Sequence, residues 1–121
     1  AICATKAAIK GGIVPGGGVA LLNAALKMEE ENEGERVLGK AIISPYKTIL
    51  DNAGVEQITI PAKDGDGINV VTGNMVNMIK AGIIDPLLVT KSALKNAASV
   101  AATILSTDCV INNLRIDEGN R

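Results

Sequence analysis

The sequence predicts a mainly α-helical fold, a multihelical bundle with one small β-hairpin and a C-terminal strand. Three observations point there. Hydrophobic residues make up 47% of the 121 positions and aromatic residues only 1%. A core is therefore expected, and it must be filled by Ala, Val, Ile and Leu, which favours closely packed helices over an aromatic-rich sandwich. Apolar residues recur at helical spacing in stretches bounded by glycine or by a polar residue before proline. Between Gly65 and Asn74, by contrast, short β-branched pieces alternate with turn formers, which is the pattern of a hairpin. A chain of this length makes one small domain, and its modest core favours completion by partner surfaces.

The elements follow in chain order. Residues 1–10 read as a helix already under way, with Ile2 and Ile9 two turns apart and Gly11-Gly12 closing it. Ile13-Val14-Pro15 leads into Gly16-Gly17-Gly18. A second helix covers Val19 to Met28, with Val19, Leu22 and Leu26 on one face and Ala20, Ala24 and Ala25 permitting close approach. The acidic run Glu29 to Glu35 reads as a solvated connection. A third helix is expected from Arg36 to Ile43, presenting Val37, Leu38, Ala41 and Ile42. Ser44 as N-cap and Pro45 as first helical residue then open a fourth, which turns Tyr46, Ile49, Leu50 and Ala53 inward and stops at Gly54.

Ile58-Thr59-Ile60 favours a short strand, and Pro61 opposes a long helix. After the hairpin, Asn77 to Ala81 reads as a turn and Gly82-Ile83-Ile84 as an extended piece. Asp85-Pro86 repeats the cap-and-proline signature and opens the longest helix, Pro86 to Thr107. Its expected buried stripe is Ala93, Leu94, Ala97, Val100, Ala101, Ile104 and Leu105. A strand from Cys109 to Leu114 and a polar tail complete the chain.

Composition excludes several function classes. Lys and Arg number 12 against 13 Asp and Glu, a net charge of −1. No basic stripe with interleaved aromatics is present, so nucleic-acid binding has little support. No apolar run approaches the roughly 20 residues needed to span a bilayer, and no membrane partner is expected. The chain opens without a signal-peptide pattern and without Met, as expected of a processed chain or a piece of a longer protein. Cys3 and Cys109 are expected as free, buried thiols in a reducing compartment. With no His in the sequence, neither a zinc site nor a histidine base is available, and no residue is assigned a catalytic role.

Three features have binding chemistry. Gly16-Gly17-Gly18 runs straight into a helix, and its bare backbone suits close approach to an anionic ligand as well as it suits a simple interhelix loop. The run matches neither the P-loop nor the dinucleotide-binding glycine pattern. Asp85, beside Ile83 and Ile84, is a helix cap or a carboxylate that binds a ribose hydroxyl while Ile83 covers a base. Asn69 reads a base edge or stabilises a turn.

The order of motifs then resembles the group I (GroEL-type) chaperonin family in the C-terminal half of its nucleotide-binding, equatorial domain. The similarity runs through Ala4-Thr5-Lys6-Ala7-Ala8, Gly12-Ile13-Val14-Pro15-Gly16-Gly17-Gly18-Val19-Ala20-Leu21 and Asn52-Ala53-Gly54-Val55-Glu56. It continues through Val76-Asn77-Met78-Ile79-Lys80-Ala81-Gly82-Ile83-Ile84-Asp85-Pro86, Val89 to Val100-Ala101 and Thr107-Asp108-Cys109-Val110-Ile111, and covers nearly the whole chain. The resemblance implies that residues 1–12 end the helix from the intermediate domain. It makes residues 13–114 equatorial and residues 115–121 a polar tail.

It also implies ATP as ligand, with Gly17 against the nucleotide, flanked by Gly16. Asn69, Val70, Val71 and Ile83 then face adenine, and Asp85 binds ribose. Magnesium and the phosphates are expected to be held by the family's N-terminal equatorial half. The implied work is ATP-dependent folding of client proteins by a ring of like subunits, with clients and co-chaperonin engaged through other domains, in the bacterial cytoplasm, the mitochondrial matrix or a plastid. The stretch from Glu56 to Asn69 is shorter than the family's, and Pro61 interrupts a common helix. Val70 and Val71 are bulkier than the usual small residues. The competing expectation is a stand-alone helical assembly module that binds no nucleotide.

Overall fold

The computed structural model describes residues 1–107. In chain order these form α1 (Ile2–Gly11), β1 (Ile13–Pro15), α2 (Val19–Lys27), α3 (Glu33–Asn52), β2 (Asp66–Ile68), β3 (Met75–Asn77), β4 (Ile84–Pro86) and α4 (Leu87–Leu105). Two compact units are present, the first comprising Ala1–Val89 and the second beginning at Thr90 within α4. The mainly α reading with a small hairpin is correct. The strand expected from Cys109 to Leu114 and the tail beyond it lie outside the described residues.

In the first unit, α1 ends where Gly12 turns to φ 86° and its N–H donates to the Ala8 carbonyl at 2.9 Å. With ψ at −175° the chain leaves the helix in extended form, and glycine reaches this positive-φ conformation without steric strain. α2 starts at Gly18, left-handed at φ 78°. Its inward residues are Val19, Leu22 and Ala25, while Leu26 is 52% exposed. The face is thus set by steps of three, and small Ala25 takes the place expected of Leu26.

One helix, α3, replaces the two expected between Arg36 and Ala53. It begins inside the acidic run. The Asn32 Oδ1 accepts from the Glu35 N–H at 2.9 Å, and the Glu35 carboxylate accepts from the Glu31 N–H at 2.7 Å. This side-chain capping serves orphan N–H groups, and carboxylates in the first turn oppose the positive end of the helix dipole. The helix then continues through Pro45. Proline removes the bond to the carbonyl four residues back, but Ala41, Ser44 and Pro45 are all exposed, so the freed carbonyl lies on the solvent side of the helix.

The core joins Val19 and Leu22 of α2 to Tyr46 and Leu50 of α3, closed by Met78 just after β3. Val37, Leu38, Ile49 and Ala53, expected to face inward, are exposed. Ile58-Thr59-Ile60 forms no strand. Ile58 packs on the core instead, and the Thr59 carbonyl accepts from the Tyr46 hydroxyl at 2.9 Å. β2 and β3 form a hairpin, antiparallel with Gly67 opposite Val76, but its second strand lies beyond the stretch expected, and Val70 and Val71 fall in its loop.

α4 corrects the sequence reading twice. Asp85 and Pro86 belong to β4 rather than capping the helix, because the Leu87 N–H donates to the Gly12 carbonyl at 3.0 Å and carries the β1–β4 pairing one residue further. The expected stripe of α4 is not buried. Only Leu94 is half-buried, while Val100, Ile104 and Leu105 are 60%, 53% and 84% exposed. Among the described residues, the second unit has no other helix or strand for that stripe to pack against. Likewise Cys3 is a free thiol but exposed rather than buried, because α1 buries none of its residues. Cys109 lies outside the described residues. No helix among the described residues is long and apolar enough to cross a membrane.

Candidate functional site

The site is organised by the two-stranded ribbon of β1 and β4. Their antiparallel register pairs Ile13 with Pro86, Val14 with Asp85 and Pro15 with Ile84. Directly after β1, the Gly16 N–H donates to the Ile83 carbonyl at 2.9 Å. Gly16 is buried, and a Cβ there would stand 3.1 Å from the Ile84 nitrogen and 3.2 Å from the Ile83 Cγ2. Glycine suits this position because another backbone passes close by, and a larger residue would push it back by a few tenths of an ångström. Gly17, at φ 66°, continues the bend over the end of Met78, whose Cε would lie 2.8 Å from an added Cβ.

Gly16, Gly17, Ile83 and Asp85 therefore come from two distant stretches of sequence into one neighbourhood. α2 leaves this bend directly. The Val19 N–H is taken by the Gly16 carbonyl at 3.2 Å and the Leu22 N–H by the Gly18 carbonyl at 3.1 Å, which leaves the Ala20 and Leu21 N–H groups without an intrahelical acceptor. Asp85 is exposed, so its carboxylate is open to a hydroxyl or ammonium donor.

A shallow cavity of about 310 Å³ lies against the ribbon, lined by Ala4, Thr5 and Ala8 of α1, Ile13 of β1, and Ile84, Asp85 and Pro86 of β4. The Thr5 hydroxyl donates back to the Ala1 carbonyl at 3.0 Å, so it is engaged within its own helix. The lining is otherwise apolar, with Asp85 its single ionisable side chain. Beside Asp85 it is Ile84 rather than Ile83 that lines this cavity, and neither Gly16 nor Gly17 does.

Asn69, Val70 and Val71 sit elsewhere on the unit, in the loop closing the β2–β3 hairpin. The Asn69 Oδ1 accepts from the Val71 N–H at 3.0 Å, its N–H donates to the Asn74 carbonyl at 2.9 Å, and its own carbonyl accepts from Gly73 at 2.7 Å. Val70 is 44% and Val71 90% exposed. The hairpin meets the glycine bend through its base rather than its loop. The Gly65 carbonyl accepts from the Met78 N–H at 2.9 Å, and Gly67 abuts Val19 and Met78.

Sequence reading missed Met78 altogether, since it fell in a stretch legible only as a turn. It also missed Ala4, Ala8 and Ile13 as a wall, because no local signal marks a helix and a strand that converge only in the fold.

The chain belongs to the TCP-1/cpn60 chaperonin family, whose model matches residues 1–115. Among solved structures it is similar to a group III chaperonin in the open state, with 26% identity and a TM-score of 0.73 over 87% of this chain. The match covers 25% of that chaperonin chain, so the sequence spans about a quarter of that relative's length.

Proposed function

We propose that this chain is the C-terminal part of the equatorial domain of a group I, GroEL-type chaperonin, and that it binds the adenosine side of ATP. The observation that carries the reading is the junction of the two distant motifs, in which the Gly16 N–H donates to Ile83 one residue from the ribbon that pairs Val14 with Asp85. The donor set suits adenosine. Asp85 offers an exposed carboxylate to sugar hydroxyls, Ile83 offers apolar surface to a base, and the side-chain-free bend at Gly16 and Gly17 permits backbone approach.

Bound ATP would supply the energy for conformational work. This chain's own residues grip the sugar and orient the base; for Asn69, Val70 and Val71 to meet the adenine edge, the hairpin loop must turn toward the bend, because the hairpin's base rather than its loop meets it here. Magnesium and phosphate ligands come, in this reading, from the N-terminal equatorial half. The whole protein then assembles with like subunits into a ring and folds client proteins with a co-chaperonin, in the bacterial cytoplasm, the mitochondrial matrix or a plastid.

Calorimetric titration with adenosine and with magnesium-ATP tests this. Wild type is expected to bind both, and Asp85→Ala to weaken both by about tenfold or more, the worth of a hydrogen bond to a charged group. Equal affinity in wild type and variant would sink the ribose assignment. The exposed apolar stripe of α4 favours the second reading, an assembly module without nucleotide. Absence of binding together with self-association in sedimentation equilibrium would establish that one instead.

A further inference from the structure

Met78 contacts the glycine bend, the base of the hairpin and Ile83. Its N–H donates to the Gly65 carbonyl at 2.9 Å at the hairpin base, and its carbonyl accepts from the Ile83 N–H at 2.8 Å. Its side chain is 2% exposed and ends beneath the bend, where a Cβ on Gly17 would meet the Cε at 2.8 Å. The same side chain lies 3.2 Å from a Cβ built on Gly67, through both Cγ and Sδ. Ile83 in turn accepts from Gly16. The bend, the hairpin and the Ile83 arm therefore share one residue as support, and its unbranched thioether fills the irregular gap between them.

We propose that Met78 is the positioning residue of this site, setting the height of the Gly16–Gly17 bend relative to Ile83 and tying the hairpin to both. The proposal rests on the nucleotide reading above for its ligand but not for its geometry. Shortening the side chain leaves a void under Gly17, and the bend settles toward it. Small displacements of a positioned group carry large binding penalties. A side chain that merely filled the core would lower stability without singling out the bend.

The test compares Met78→Val with Leu50→Val, which changes an equally buried member of the same core cluster on α3. Two quantities are read in the full chain at matched thermal stability: adenosine affinity by calorimetry, and hydrogen exchange of the Gly16 amide, which reports directly on its bond to Ile83. Met78→Val is expected to weaken adenosine about tenfold and to speed Gly16 exchange about tenfold beyond Leu50→Val, and Met78→Leu to restore most of both. Equal behaviour of the two valine variants overturns the proposal. If wild type binds no adenosine, the nucleotide reading fails by itself, and selective Gly16 exchange still decides the positioning role.

Discussion

Each glycine of the triplet has a packing reason to be glycine, apart from any ligand. Gly16 admits the backbone of Ile83 and Ile84, Gly17 caps Met78, and Gly18 admits α3. A Cβ on Gly18 would stand 2.6 Å from the Tyr46 nitrogen and 2.7 Å from its Cα, while φ is 78°. Those are helix backbone atoms and cannot rotate aside. Gly12 offers the control, since it too has a positive φ, 86°, with nothing within 4 Å of an added Cβ. Gly12→Ala should therefore cost only the strain of its glycine-specific backbone, φ 86° and ψ −175°, about 1–3 kcal/mol, whereas Gly18→Ala should cost about 3 kcal/mol or more as overpacking adds to its left-handed strain. Urea unfolding of the two variants checks this, and equal costs would mean that α3 does not approach the bend so closely. A glycine run is legible in sequence, but what it approaches is not, because the approaching backbone comes from positions dozens of residues away.

Among the elements, α3 shows best what sequence could and could not tell. Ser44-Pro45 carries a strong start signal, yet the helix runs through it, because the signal is local and the burial of Ile42, Tyr46 and Leu50 on one face is continuous. Helix periodicity was readable, as were the hairpin, α1, α2 and the approximate extent of α4. The absence of the strand expected at Ile58-Thr59-Ile60 was not readable, because the Tyr46 hydroxyl that donates to the Thr59 carbonyl comes from another element. That bond fastens the segment after α3 to the core. Burial raises the Tyr46 phenol above its ordinary value of 10.0. The folded chain thus holds this proton to higher pH than the unfolded chain does. Its contribution is complete below pH 10 and declines as pH rises through the folded value. Wild type should accordingly lose stability in that alkaline window relative to Tyr46→Phe, while at neutral pH the variant should be weaker by about 1 kcal/mol. Parallel alkaline slopes in denaturant melts of the two proteins would disprove the coupling.

For the molecule as a whole, the apolar residues divide between a small closed core and a helix whose apolar stripe remains exposed. The expected stripe on α4 has helical spacing as regular as any in the sequence, so its exposure was not legible there. Periodicity reports which residues share a face and says nothing of whether the chain has an element to cover it. The candidate site sits wholly in the unit that has the closed core, which is why its two motifs can be held together by main-chain bonds. Stability should follow the same division. Leu22→Ala removes a fully buried side chain and should cost about 2–5 kcal/mol. Val100→Gln and Ile104→Gln remove half-exposed side chains and replace β-branched residues by a better helix former. They should change stability by about 0.5 kcal/mol or less, as read by chemical denaturation at low protein concentration. If the α4 variants instead cost as much as Leu22→Ala, the stripe must be covered in solution. A dependence of that cost on protein concentration would then show that the cover is a second copy of the chain, because only association makes apparent stability follow mass action.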